Sequence, residues 1–281
     1  MGYGKLFVVG TPIGNLSDLS PRAAQTLTES DFIAAEDTRV TLKLLNSIGV
    51  KKPLISYFEH NRREKGEYIL SKITGGESCA LVTDAGMPAI SDPGADLVDL
   101  CLKAGVEVTT VPGPSAVITA LAASGMACGR FTFEGFLSTA NKALREHLQE
   151  VSRERRTMVF YEAPHKLLKT LSDMSDAFGD RNICICRELT KIHEEIRRTT
   201  LSEAIAKYEK DPPRGEFVLI IEGYAGEDET EKPDPISRAL ELIAEGKSLN
   251  DAVKQASRET SFPKNQLYSE VLKRTDGGKI K

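Results

Sequence analysis

No stretch of this 281-residue chain approaches eighteen consecutive apolar residues, so the sequence offers no membrane-spanning helix. The N-terminus, Met1-Gly-Tyr-Gly-Lys-Leu-Phe-Val-Val9, runs almost at once into a strand-like segment. It lacks the charged start, apolar middle and cleavage site of a signal peptide. Cysteines are few: there are five, an odd number without framework spacing, which argues against a disulfide scaffold and fits a reducing compartment. A soluble cytoplasmic protein is therefore expected. An excess of positive charge is also missing. The 37 Lys and Arg against 41 Asp and Glu leave a net charge of −4, which opposes bulk electrostatic capture of nucleic acid but leaves room for a local basic face.

Several kinds of chemistry lack their residues. His60, His147, His165 and His193 lie far apart with no ligand spacing, and Cys184 and Cys186 alternate on one strand as packing residues do, so no metal is expected. No G-x-x-x-x-G-K-[ST] run occurs, and Gly10-Thr-Pro-Ile-Gly14 is not G-x-G-x-x-G. A ligand without phosphate fits better. Ser115, in Gly113-Pro-Ser-Ala-Val117, lacks the later glycine of a nucleophile elbow.

What the chain does have is Leu81-Val-Thr-Asp-Ala-Gly-Met-Pro-Ala-Ile-Ser-Asp-Pro-Gly94, an apolar run that breaks into a loop rich in Gly, Pro and Asp. Proline removes backbone donors and glycine tolerates positive φ, so this segment is irregular. A helical pattern resumes at Ala95. A strand, a rigid loop and then a helix is where an open α/β sheet holds its ligand.

Strand-like and helix-like segments alternate through the first half, with strands near 5–9, 32–35, 53–57, 79–83 and 106–111, which implies a mostly parallel, covered sheet. Ser20-Pro21 opens a helix with a cap and an N1 proline. Helices are expected near 41–48, 65–73 and 116–124. A second α/β unit follows, with a charged helix at 142–156, a helix at 166–177 and strands at 157–161, 182–186 and 217–222; hairpin-like spacing makes a mixed sheet plausible there. The expected domains are 1–125, 126–224, an acidic linker at 225–235 and a helical C-terminal module at 236–281. Ser248-Leu-Asn-Asp251 resembles a capping box. From Asp234 onward nine Lys and Arg face seven Asp and Glu. This module either meets RNA phosphate or serves as a packing or dimer appendage.

Polar groups recur after nearly every strand: Glu36-Asp-Thr-Arg39, Glu59-His-Asn61, Asp84, Ser115, Glu162 with His165, and Glu188 with Thr190 and Lys191. Parallel strands bring such tips to one edge, which points to a shared cleft. Substrate handling is expected at Glu36, Glu59 and Asn61. Asp37, Arg39 and His60 are expected at the chemistry: a carboxylate or the imidazole orients a hydroxyl, and Arg39 meets a phosphate. On the 142–156 segment Arg145, Arg153, Arg155 and Arg156 form a basic patch partly offset by glutamates.

Seven ordered motifs carry a family resemblance. They are Val9-Gly-Thr-Pro-Ile-Gly-Asn-Leu-Ser-Asp-Leu-Ser-Pro-Arg-Ala23, Ala35-Glu-Asp-Thr-Arg39, Val82 to Gly94, Val111-Pro-Gly-Pro-Ser-Ala116, Phe160-Tyr-Glu-Ala-Pro-His165, Arg187-Glu-Leu-Thr-Lys191 and Arg214-Gly-Glu-Phe217. Together they resemble the bacterial small-subunit ribosomal RNA methyltransferase I family, within the tetrapyrrole-methylase-like class of S-adenosylmethionine (SAM) enzymes. The resemblance implies two α/β domains with SAM in the cleft between them, a homodimer, and 2′-O-methylation of a cytidine ribose in the decoding region of small-subunit RNA. It places SAM contacts at Pro12, Asp84, Ala85, Gly86, Ile90, Ser115, Ala116, Glu162, Leu189 and Phe217. A sulfonium donor needs neither a phosphate loop nor a metal, in keeping with the missing motifs. Two other readings remain: a methylase of a tetrapyrrole precursor, whose acidic substrate calls for cationic cleft residues, and a non-catalytic SAM- or RNA-binding module.

Overall fold

The computed structural model describes residues 2–226, 234–260 and 262–276. Residues 2–224 form one unit built on two five-stranded sheets, and the C-terminal helices form another.

Strands β1 (Lys5–Val9), β2 (Phe32–Ala35), β3 (Leu54–Ser56), β4 (Cys79–Val82) and β5 (Glu107–Val111) pair in the order β3-β2-β4-β1-β5, all parallel. Every residue of β2 and of β4 is buried, as expected where helices cover both faces. Alternation decides which helix each strand residue meets. Leu6, Phe32, Ala34, Cys79 and Leu81 pack with Ile69 and Ile73 of α3 (Arg62–Thr74) and with Leu97 and Cys101 of α4 (Ala95–Lys103). Val9, Ile33, Ala35, Ala80 and Val82 turn the other way, onto Ala23 and Leu27 of α1 (Pro21–Glu29) and Leu44 and Leu45 of α2 (Thr38–Ser47). Ser20 caps α1 by accepting the Ala23 amide at 3.1 Å.

The second sheet has β6 (Phe131–Phe136), β7 (Thr157–Glu162), β8 (Asn182–Arg187), β9 (Glu195–Thr200) and β10 (Phe217–Ile221), ordered β6-β7-β10-β8-β9. Only β6 and β7 run parallel; β10 pairs antiparallel with β7 and β8, and β8 with β9, so this sheet is mixed. One face meets α6 (Asn141–Val151), α7 (Pro164–Phe178) and α8 (Leu201–Lys210) through Leu148, Leu167, Leu171 and Leu201. The other receives α5 (Ala116–Ser124), whose Val117, Ala120 and Leu121 pack on Val159, Cys184 and Ile220. The helix that leaves the first sheet thus covers the second.

Some boundaries differ from the sequence expectation. Helix α2 begins at Thr38, because the Asp37 carboxylate caps it by accepting the Arg39 amide at 2.8 Å. Helix α6 ends at Val151, where a turn follows in which Glu154 Oε1 accepts the Arg156 amide at 2.7 Å. Arg153, Arg155 and Arg156 therefore lie beyond the helix, and the four arginines do not share a helical face. Strand β9 and helix α8 went unanticipated: Glu195-Ile-Arg-Arg-Thr-Thr200 is a polar edge strand with little apolar signal.

In the C-terminal unit, α9 (Pro235–Ala244), α10 (Leu249–Thr260) and α11 (Lys264–Asp276) enclose a core of Ala239, Leu242, Val253, Ala256, Leu267 and Val271. Ser248 Oγ accepts the Asp251 amide at 3.2 Å, the capping half of the box expected from the sequence, while the Asp251 carboxylate accepts from the Ser248 hydroxyl at 2.6 Å in place of its backbone amide. Residues 227–233 of the acidic stretch lie outside the described residues.

Candidate functional site

All five parallel strands end on the same edge, and their loops are stitched together there. Gly10, after β1, lies so near Gly113, after β5, that a Cβ on Gly10 would stand 2.7 Å from the Gly113 Cα; only glycine permits this approach. Thr11 exchanges two backbone hydrogen bonds with Gly86, at 2.9 and 3.1 Å, and the buried Thr11 hydroxyl donates to the Thr83 carbonyl at 3.2 Å. The irregular loop after β4 is thereby pinned over the end of β1, with Ala89 at φ 66°.

Beneath this loop, between the ends of the two sheets, is a cavity of about 460 Å³. The first sheet contributes Ile13, residues from Ala85 to Asp92, and the start of α5; the second contributes Phe136, Tyr161, Glu162, Cys186, Leu189 and Phe217. Of the ten residues expected to meet SAM, Ala85, Gly86, Ile90, Ser115, Ala116, Glu162, Leu189 and Phe217 line this space. Pro12 and Asp84 do not. Ser115 caps α5. Leu189 is carried into the wall by a tight turn with Glu188 at φ 50° and Thr190 at φ 67°.

The lining contains the carboxylates Asp92, Glu162 and Glu216 and no Lys, Arg or His. Glu162 is 4% exposed, and its two oxygens accept from the Thr170 hydroxyl at 2.5 Å and the Ala163 amide at 2.8 Å. Burial raises the Asp92 carboxyl above its ordinary range, and the neighbouring charges of Glu36 and Asp84 add to this; the Thr83 hydroxyl opposes it. Burial likewise raises the Tyr161 phenol, with Asp92 contributing. Such a wall suits a cationic, partly apolar ligand and repels an anionic one. Sequence reasoning missed Asp92, although it sits in the loop singled out there, and missed Phe136, Tyr161 and Cys186, which carry no separate signal. Cys186 faces Cys184, sulfur to sulfur, at 3.9 Å.

The polar residues at the ends of β2 and β4 form a network beside the cavity. Glu36 Oε2 accepts from the Thr83 hydroxyl at 2.6 Å and from the Asp84 amide at 3.4 Å, while the Asp37 amide donates to Asp84 Oδ1 at 3.0 Å. The Asp37 carboxylate holds the Arg39 guanidinium through both oxygens, and this contact, with the capping amide, depresses its pKa to about 2. Glu59, His60 and Asn61 stand apart. His60 and Asn61 line a separate surface groove that shares no residue with the cavity. Asn61 shapes the turn before α3, accepting the Phe58 amide at 2.9 Å and donating to the Ser56 carbonyl at 3.0 Å; Glu59 pairs with Arg62 at 3.2 Å. Among the described residues no group of three or more His, Cys, Asp or Glu side chains is placed to hold a metal ion, and no helix is long and apolar enough to cross a membrane.

The family model for tetrapyrrole (corrin/porphyrin) methylases matches residues 5–205. Over 268 residues the chain is 47% identical to a protein of Synechocystis sp. named ribosomal RNA small subunit methyltransferase I, covering 94% of this chain and 96% of the relative. A Thermotoga maritima protein of the same name is 49% identical over 220 residues, which is 99% of that protein but 78% of this one. Among solved structures, a cobalt precorrin-4 methyltransferase superposes with a TM-score of 0.60 at 18% identity, covering 78% of this chain and 94% of that one. A uroporphyrin-III C-methyltransferase from Thermus thermophilus, complexed with S-adenyl homocysteine, gives 0.56 at 18% identity over 77% and 97% of the two chains. These last two likenesses concern the fold. The family model covers most of the chain and the named relatives are 47% and 49% identical to it, so the chain belongs to the tetrapyrrole methylase family, among its ribosomal RNA small subunit methyltransferase I members.

Proposed function

We propose that the protein transfers a methyl group from SAM to small-subunit ribosomal RNA, at the ribose 2′-hydroxyl of a cytidine in the decoding region. The observation that carries this reading is the cavity wall. The carboxylates of Asp92 and Glu162, with no lining cation beside them and with Glu216 held at the rim by Lys191 at 2.7 Å, suit a ligand with a sulfonium and an amino group but no phosphate, and the apolar Ile13, Met87, Leu189 and Phe217 suit its remaining surface. The residues present therefore fit SAM, which supplies the methyl group as a cationic alkyl donor. In this proposal Asp92 and Glu162 face its positive end, Leu189 and Phe217 pack its apolar part, and Pro12 and Asp84 act on the loops around it.

The network at Glu36, Asp37 and Arg39 stands at the cavity's edge, where an acceptor arrives, and Arg39 is the cation there that meets a phosphate. Holding acceptor and donor in line supplies much of the rate. His60 and Asn61 lie in a separate groove and Glu59 precedes them, so in this proposal all three contact RNA away from the reacting hydroxyl. The assembly is proposed as a cytoplasmic homodimer. A methylase of a tetrapyrrole precursor fares worse, because a substrate bearing several carboxylates has no cationic partner on this wall.

The test is transfer from tritiated SAM to small ribosomal subunits stripped of the modification, followed by nuclease mapping. Label in a 2′-O-methylcytidine is the expected result. Label on a base overturns the ribose assignment, and the absence of label with SAM still bound overturns the RNA assignment.

A further inference from the structure

Strand β6 breaks its alternation just where it reaches the cavity. Phe131 and Phe133 pair with Thr157 and Val159 of β7, but Gly135 pairs with Phe160 and Phe136 with Tyr161, so Glu134 is an extra residue and the strand carries a bulge. Gly135 stands at φ 66°, a left-handed conformation that glycine takes at no steric cost. The Glu134 side chain goes to α6, where its Oε2 lies 3.0 Å from His147 Nε2. In an unbroken strand Phe136, three residues after Phe133, would point to the opposite face. The bulge returns it to the face of Phe133 and Tyr161. Its ring centroid is 5.3 Å from that of Tyr161, which is 5.1 Å from that of Phe133. Phe133 and Tyr161 pack against the core under α5, whereas Phe136 lines the cavity and is 58% exposed. A row of rings thus runs from the core to the cavity mouth, and the last of them is open to solvent.

Resting on the reading of a SAM-dependent ribose methylase, we propose that Phe136 is the platform on which the cytosine of the acceptor nucleotide stacks. The base is bonded to C1′, next to the C2′ that bears the reacting hydroxyl, so it comes to the cavity wall whenever that hydroxyl reaches the donor. A nucleotide that enters a loop-roofed cavity leaves its neighbours in the RNA and loses their stacking. An aromatic ring at the mouth replaces that contact, since every base has a π face. A phosphate finds no partner there, because the lining holds no Lys, Arg or His. The ring therefore selects a nucleotide whose base is unstacked, and the bulge with its glycine is the device that aims the ring.

The full-length protein with Phe136→Leu and Phe136→Trp tests this. Leucine keeps apolar bulk at the mouth but has no π face, and tryptophan restores one. In Phe136→Leu, kcat/KM for small subunits stripped of the modification is expected to fall about tenfold, and in Phe136→Trp to return to the wild-type value. Calorimetry is expected to give S-adenosylhomocysteine affinities within about twofold of wild type for both variants. Sedimentation is expected to give an unchanged oligomeric state. A leucine variant that transfers as well as wild type overturns the platform, as does a tryptophan variant that fails to restore what leucine loses. An equal fall in S-adenosylhomocysteine affinity overturns it by assigning the ring to the adenine of the cofactor, and a smaller assembly overturns it by assigning the ring to a second copy of the chain. Wild-type protein that labels no subunit overturns the proposed function and the platform with it, whereas an active wild type with an equally active leucine variant overturns the platform alone.

Discussion

The hydroxyl of Thr170 on α7 donates to Glu162 Oε2 at 2.5 Å, and both residues are 4% exposed. With the Ala163 amide on the other oxygen, this fixes a buried carboxylate at the end of β7 so that it faces the cavity. Thr170→Val keeps the volume but removes the donor, leaving a buried oxygen unpaired. That costs about 1–3 kcal/mol of stability. Melting scans should show the loss, and calorimetry should show S-adenosylhomocysteine affinity falling about tenfold as the carboxylate turns free. A lowered melting point with unchanged affinity would remove Glu162 from the ligand site.

The first sheet was legible because its strands are short apolar runs separated by helical periods, a pattern that parallel βα units impose. In the second sheet the strands with apolar or aromatic runs were legible. Strand β9 reads Glu-Ile-Arg-Arg-Thr-Thr on an open edge, where nothing forces apolar residues. Of the candidate site, the tips of parallel strands were readable since topology alone gathers them. His60 stands apart from the other tips because the end of β3 lies on the outer strand, from which its loop builds a separate groove. Phe136 and Tyr161 were invisible: they reach the cavity through the pairing of β6 with β7, which no local pattern encodes.

Asp92 sets activity against stability. In the unfolded chain its carboxyl titrates near the ordinary 3.8, and in the folded protein burial, Glu36 and Asp84 hold the proton to higher pH. The folded state thus binds more protons above pH 3.8, and stability falls as pH rises through the Asp92 titration. Asp92→Asn removes that loss. Its melting point at pH 7.5 is expected to rise, while affinity for SAM, which carries the sulfonium charge, falls more than affinity for S-adenosylhomocysteine, which lacks it. Equal losses for the two ligands would show that Asp92 does not face the charge.

The Asp37–Arg39 pair behaves in the opposite way. Contact with the guanidinium holds Asp37 at about 2, so the stability it contributes is present above pH 3.8 and is lost only as pH falls through about 2. The Arg39 side chain is 87% exposed, which leaves the pair screened by water. Arg39→Gln is expected to shift the melting point by no more than about 1 °C and to leave S-adenosylhomocysteine affinity intact. Transfer to ribosomal subunits should fall about tenfold, through KM for the subunit, as one phosphate contact disappears. A fall in cofactor affinity of the same size would place Arg39 at the cavity instead of at the RNA.

The C-terminal helices bury their own core, with Leu242, Val253, Leu267 and Val271 packed among α9, α10 and α11. Both sheets and the whole cavity lining fall within the first 224 residues, a length close to that matched by the Thermotoga relative. A chain ending at Gly226 should therefore fold with its cavity complete. Calorimetry is expected to give an S-adenosylhomocysteine affinity within about twofold of the full-length value, because no lining residue has been removed. Heating should give a single cooperative transition at the temperature of the first unit in the full chain. If the shortened chain fails to fold, or folds without binding the ligand, the C-terminal helices belong to the architecture of the site; if it binds but transfers poorly to ribosomal subunits, their work is on the RNA.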